Sequence, residues 1–229
     1  MLAAPSWPPA PPIPDALAGA PADIGIGIGI DIDIDIVEND EPLVMVDDHL
    51  PCLRCYRNRG WPGTLETTWL RATVVESLAT VSEGLPEGFG LAVFDGWRSM
   101  TTIRALYAHY YGPGSTLTPG FLADPDRPGL VPPHLTGGAV DLTLTWNGTA
   151  LSLGTPFDEF TERARLRYLE ADGDSHEPDR SLRRLLHHTM TSQGFAPYSE
   201  EWWHFSLGDP DWAAFHGAPT ARYGPTAPP

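Results

Sequence analysis

One aspartate limits what this chain can fold into. Asp141 lies in the run Ala139-Val140-Asp141-Leu142-Thr143-Leu144, which reads as part of an apolar strand over 138–146. A carboxylate left unpaired in such a strand is costly, so the fold must bring it a positive partner, and a divalent cation is one. Gly137 and Gly138 sit just before the strand and let the backbone turn sharply after His134. In regular strand geometry positions 134 and 141 face opposite ways, so the glycine turn must bring the two side chains together. A second stretch, Tyr198-Ser199-Glu200-Glu201-Trp202-Trp203-His204-Phe205, poses a matching problem. Glu201 and His204 would point to opposite faces of an ideal strand, so a bend must aim both at one centre. The plain alternative is an aromatic core strand with an incidental acid. Together the two stretches supply two imidazoles, one ligating carboxylate and one spare carboxylate. That is the inventory of a catalytic zinc site with an open coordination position.

Composition narrows the partners. The 229 residues carry a formal net charge of -16, and every basic residue is an arginine, the first being Arg54. An acidic chain without a basic run is a poor match for nucleic acid or an anionic membrane surface. No run of about 18 apolar residues exists, so no membrane span is expected. The N-terminal stretch has no positive region followed by a continuous apolar one, which predicts a cytoplasmic protein. Cys52 and Cys55 are the only cysteines, too few for a structural zinc site, and read as reduced thiols.

Residues 1–22, rich in Pro and Ala, read as a flexible tail. Residues 23–36 alternate Ile with Gly and then with Asp, which places every isoleucine on one strand face. The Asp-Ile half, through Val37, is expected as an edge strand whose aspartates discourage pairing with another molecule. The folded domain is expected over 37–208. Its strands are predicted at 43–46, 91–95, 138–146, 151–153 and 196–207, with Asn147-Gly148 as a hairpin turn. Its helices are predicted at 64–83, 100–111, 159–168 and 178–193, with Thr64 as a cap for the first. Residues 112–133 form a long loop, and 209–229 an extended cap or frayed C-terminal extension. The fold class is α+β, a mostly antiparallel central sheet with flanking helices.

The remaining histidines read as ordinary polar residues, with His187 and His188 at the surface or behind the site. Arg98 reads as a helix cap or a partner of Asp95. Asp158 reads as an N-cap for the helix at 159–168.

Four motifs in order resemble the zinc D-alanyl-D-alanine dipeptidases, the enzymes associated with vancomycin resistance, whose superfamily includes D,D- and L,D-carboxypeptidases and shares a fold with the Hedgehog signalling domain. They are Asp95-Gly96-Trp97-Arg98; His134, Gly137, Ala139 and Asp141; Leu153-Gly154-Thr155-Pro156-Phe157-Asp158; and Glu201-Trp202-Trp203-His204. The resemblance spans about residues 37–207. It implies one zinc ion per chain held by His134, Asp141 and His204, with Glu201 as general base and Arg98 stabilising the oxyanion. Asp158 is then the partner of the substrate's free ammonium group. It further implies a small D,D-dipeptide as substrate, in cell-wall precursor turnover or glycopeptide resistance, and leaves oligomerisation open, a homodimer included. A carboxypeptidase acting on longer cell-wall peptides and a metal-containing binding domain without catalysis are the alternatives. The chain departs from the family at Pro132-Pro133, where a serine is usual, and at Ser99, where proline is common. The family's N-terminal Tyr-Ala-Thr segment has no clear match, and Tyr56 and Asn58 are the candidates to fill its space.

Overall fold

A computed structural model describes Trp7 and residues 9–15, 34–171 and 176–229. Residues 23–33 of the predicted edge segment lie outside the described residues.

The frame is one antiparallel sheet. β4 (Phe89–Asp95) pairs with β5 (Ala139–Trp146), β5 with β8 (His204–Ser206), and β8 with β7 (Ala196–Pro197). β6 (Thr149–Ala150) folds back on β5 across Asn147-Gly148. This hairpin partner falls two residues before the predicted 151–153, because Leu151 already leaves the ladder with a last bond to Leu144. β5 is buried from Ala139 to Thr145, as its composition predicts for a central strand. Two helices, α2 (Ala72–Gly84) and α4 (Asp179–Ser192), pack against the sheet and each other. α2 turns Val74, Val75, Leu78 and Val81 inward, at the helical spacing the sequence shows. A third helix, α3 (Met100–Tyr110), is capped by Ser99, whose hydroxyl accepts from the Thr102 amide. The mixed α+β architecture matches the predicted class. Among the described residues no helix is long and apolar enough to cross a membrane.

Several predicted elements differ. The helix expected over 64–83 starts at Ala72, because Trp69–Arg71 form β3 and pair with β2 (Leu43–Met45). Thr64 caps nothing there: its hydroxyl donates to the Trp61 carbonyl. The helix expected over 159–168 is replaced by two short 3-10 turns, Glu162–Ala164 and Tyr168–Glu170. The buried Arg183 explains this, since its guanidinium donates to the carbonyls of Arg163 and Arg165, which a helix would have used internally. The strand expected over 196–207 is two short strands with a bend between them, over residues 198–203.

Described residues near both ends of the chain are packed. Trp7 meets Phe89 edge-on at 5.2 Å, and Ile13 is buried, its amide donating to Glu170 Oε1 at 3.2 Å. The rest of the predicted 1–22 tail, beyond Trp7 and residues 9–15, lies outside the described residues. At the other end, α5 (Pro210–His216) and β9 (Thr220–Ala221) replace the expected extended cap or frayed end, and β9 pairs in parallel with β1 (Asp35–Ile36). The buried Arg71 gathers these parts by donating to Glu38, to the Gly224 carbonyl and, through Nε, to the Thr136 carbonyl at 2.8 Å.

Candidate metal centre and active site

Sheet register builds the site. Asp95 lies opposite Asp141 across β4 and β5, and Asp141 lies opposite His204 across β5 and β8. A register shift between Val93 and Asp95 creates the first pairing. Three strands therefore offer one row of side chains, acid, acid and imidazole. His134 joins it from the 3-10 turn Pro133–Thr136. Gly137 follows with φ 73°, and a Cβ there would collide with Leu43 Cδ2, so the turn needs glycine. The His134 Nδ1–H donates to the Gly96 carbonyl at 2.8 Å, which leaves Nε2 facing the row.

The three candidate ligand atoms form a near-equilateral triangle. His134 Nε2 is 3.2 Å from His204 Nδ1 and 3.3 Å from Asp141 Oδ1, and His204 Nδ1 is 3.1 Å from the same oxygen. Ligands about 2.0–2.1 Å from a tetrahedral zinc ion are roughly 3.3 Å apart, so the donor set fits such an ion by distance as well as by type. All three residues are buried. Three atoms that can all act as acceptors face one another, an arrangement that a cation or a shared proton must hold together. Burial, with Arg98 next to it, pushes the His134 imidazole down to about 4, so its ring is neutral at pH 7. Burial pushes Asp141 up, but the two imidazoles more than offset it and keep the carboxylate below its ordinary range.

Arg98 separates the two neighbouring acids. Its Nε donates to Asp95 Oδ2 and its Nη2 to Asp141 Oδ2, both at 2.8 Å. Its guanidinium lies 4.7 Å from the centre of the Tyr56 ring. Burial, with Asp141 opposite, raises Asp95 to about 6 against the pull of Arg98. The pairing of Arg98 with Asp95 is thus present and does not exclude a catalytic role, because Nη1 belongs to neither contact.

Glu201 occupies the bend between β7 and β8. The Trp202 amide donates to the Ala164 carbonyl, and the His204 amide to the Glu201 carbonyl, which turns residue 201 onto the same side as residue 204. Trp202 Nε1 donates to Thr155 Oγ1 at 2.9 Å, fixing the bend from the far side. Glu201 Oε2 then stands 3.9 Å from His204 Nδ1. Burial pushes its carboxyl well above the ordinary range, and Asp141 and Asp158 add to the rise.

Asp158 caps no helix, since none follows it. It has φ 67° and accepts from the Tyr56 hydroxyl at 2.8 Å and from Arg59 Nη1 at 3.3 Å. Burial raises it to about 7. Tyr56 therefore links Arg98 to Asp158. Asn58 instead donates to the Leu53 carbonyl. Sequence reasoning passed over Asp95 and Gly96 as site residues, although Asp95 ends an apolar strand just as Asp141 interrupts one. An apolar recess beside Arg98 and His134 is lined by Ile103, Leu106, Leu122 and Pro132. Cys52 and Cys55 are free thiols that burial holds up at about 11. His187 is buried on α4, and His188 donates to the Pro11 carbonyl.

Comparison with known proteins agrees with this picture. Residues 74–217 match the peptidase M15 family model, described as D-ala-D-ala dipeptidase. A D-alanyl-D-alanine dipeptidase of Synechocystis is 36% identical over 96 residues, 38% of this chain and 39% of that protein. One of Enterococcus faecium is 30% identical over 148 residues, 59% of this chain and 71% of that protein. One of Escherichia coli is 39% identical over 75 residues, 32% of this chain and 37% of that protein. The aligned stretch thus spans between about a third and two thirds or more of these relatives.

Proposed function

The chain belongs to the D-Ala-D-Ala dipeptidase family of peptidases, and on that premise we propose that it is a zinc-dependent dipeptidase acting on D-Ala-D-Ala or a closely related small dipeptide. The observation that carries this reading is the triangle of 3.1–3.3 Å between His134 Nε2, Asp141 Oδ1 and His204 Nδ1. These three would hold one zinc ion per chain. Zinc, when bound, supplies a Lewis acid that lowers the pKa of water and polarises the peptide carbonyl. Glu201 takes the proton from the attacking water and returns it to the leaving amine. Arg98, fixed by Asp95 and Asp141, offers Nη1 to the oxygen that becomes negative. Asp158 receives the substrate's ammonium group, held in place by Tyr56. A carboxylate at that end favours a free amino terminus and so favours very short peptides. We place the reaction in cytoplasmic turnover of cell-wall precursors or in glycopeptide resistance, on a Hedgehog-like scaffold.

The test is hydrolysis by zinc-loaded protein of D,D, L,D and L,L dipeptides beside an N-acetylated tripeptide. Preference for the free D,D-dipeptide is expected, with Glu201→Gln lowering kcat by about 10²–10⁴-fold while zinc stays bound. Cleavage of the blocked tripeptide instead would make the chain a carboxypeptidase. Equal inertness of wild type and Glu201→Gln would leave a binding domain.

A further inference from the structure

Behind the candidate centre, three buried polar atoms have no hydrogen-bond partner among the described residues: His204 Nε2, Ser206 Oγ and Asp209 Oδ2. They lie close together in the fold. His204 and Ser206 are two apart on β8 and share a face. Asp209 follows directly at the start of α5, and its other oxygen, Oδ1, already accepts from the Trp212 amide at 2.8 Å. Ser206 and His204 both favour the charged form of Asp209, against the burial that raises its pKa. Asp211 lines a small recess with His204 and Ser206.

The chemistry of the three atoms is complementary. With Nδ1 turned to an ion, the proton of a neutral His204 sits on Nε2, a buried donor that needs an acceptor. A serine hydroxyl both accepts and donates, and a carboxylate oxygen only accepts. We propose that His204 Nε2–H donates to Ser206 Oγ and that the Ser206 hydroxyl donates to Asp209 Oδ2, which makes Ser206 and Asp209 positioning residues for the metal-binding imidazole. The chain of bonds satisfies all three atoms, fixes the tautomer and makes Nδ1 a stronger donor to the ion. This inference rests on the metal-binding reading of the triad.

Zinc affinity, measured by competition with a chelator, tests it alongside the melting temperature of the metal-free protein. Ser206→Ala and Asp209→Asn should each weaken zinc binding by about 10–100-fold. Asparagine caps a helix about as well as aspartate, so α5 and the metal-free melting temperature should be kept. Ser206→Thr, which retains the hydroxyl, should bind zinc as the wild type does. Unchanged affinity in both Ser206→Ala and Asp209→Asn would overturn the proposal, as would a loss of metal-free stability without a loss of affinity. A drop confined to Asp211→Asn would also overturn it by moving the acceptor to Asp211. A wild-type chain that binds no divalent ion would remove the underlying reading and this inference with it.

Discussion

Two carboxylates opposite one another on adjacent strands repel, and Asp95 and Asp141 are buried as well as adjacent. Arg98 makes the pair tolerable by bonding to both. Removing one partner from such a buried network leaves an uncompensated charge and typically costs about 3–5 kcal/mol. Arg98→Met should therefore destabilise the metal-free protein by about that much in urea unfolding, and a loss below about 1 kcal/mol would mean the acids are relieved some other way. Asp158 carries a pH prediction. Its folded pKa is about 7, against about 3.9 in an unfolded chain. Between those values the folded state binds the extra proton, so the stabilisation is complete below about pH 4 and disappears as the pH rises through about 7. Asp158→Asn should flatten this fall and melt higher than wild type at pH 8. Parallel melting curves for the two proteins from pH 4 to pH 8 would contradict it. The chemistry-bearing residues were legible because an acid in an apolar strand and an acid three residues before a histidine both demand an explanation. Asp95 was less legible because its register with Asp141 depends on a bulge in β4, which no residue announces.

Elements were legible where local pattern and packing agree. β5 and α2 follow their apolar periodicity, while the segment 159–170 does not, because a guanidinium some 20 residues further on takes the carbonyls that a helix would use. The bend at 198–203 lies between. Geometry demanded a bend so that Glu201 and His204 could converge, yet its supports, the Ala164 carbonyl and Thr155, come from distant sequence. The turn before β5 is the element most exposed to a single change. Gly137→Ala would place a side chain at φ 73° and against Leu43. The left-handed conformation alone costs about 1–2 kcal/mol for a residue with a Cβ. The variant should lose at least that in unfolding free energy, and it should bind zinc more weakly than wild type because His134 moves with the turn. Wild-type stability and affinity in Gly137→Ala would show that the turn is not held as described.

At the scale of the whole molecule, the C-terminal segment serves the centre. Thr226 donates to the Leu135 carbonyl at 3.1 Å, and Trp97 Nε1 donates to the carbonyls of Leu135 and Thr226. These bonds pin the turn that carries His134 beside the loop that carries Arg98. Deleting residues 218–229 should lower both the melting temperature and zinc affinity, whereas deleting residues 1–15 should lower only the melting temperature, because Trp7 and Ile13 pack away from the triad. Comparable zinc affinity in the two truncated proteins would contradict this division. The central claim is that four side chains from two distant stretches converge on one ion, and anomalous diffraction at the zinc edge from zinc-loaded crystals tests it directly. The account predicts a single strong peak per chain within about 2.0–2.2 Å of His134 Nε2, Asp141 Oδ1 and His204 Nδ1, with the Glu201 carboxylate beside it. A peak elsewhere, or no peak at the triad in fully loaded protein, would contradict it.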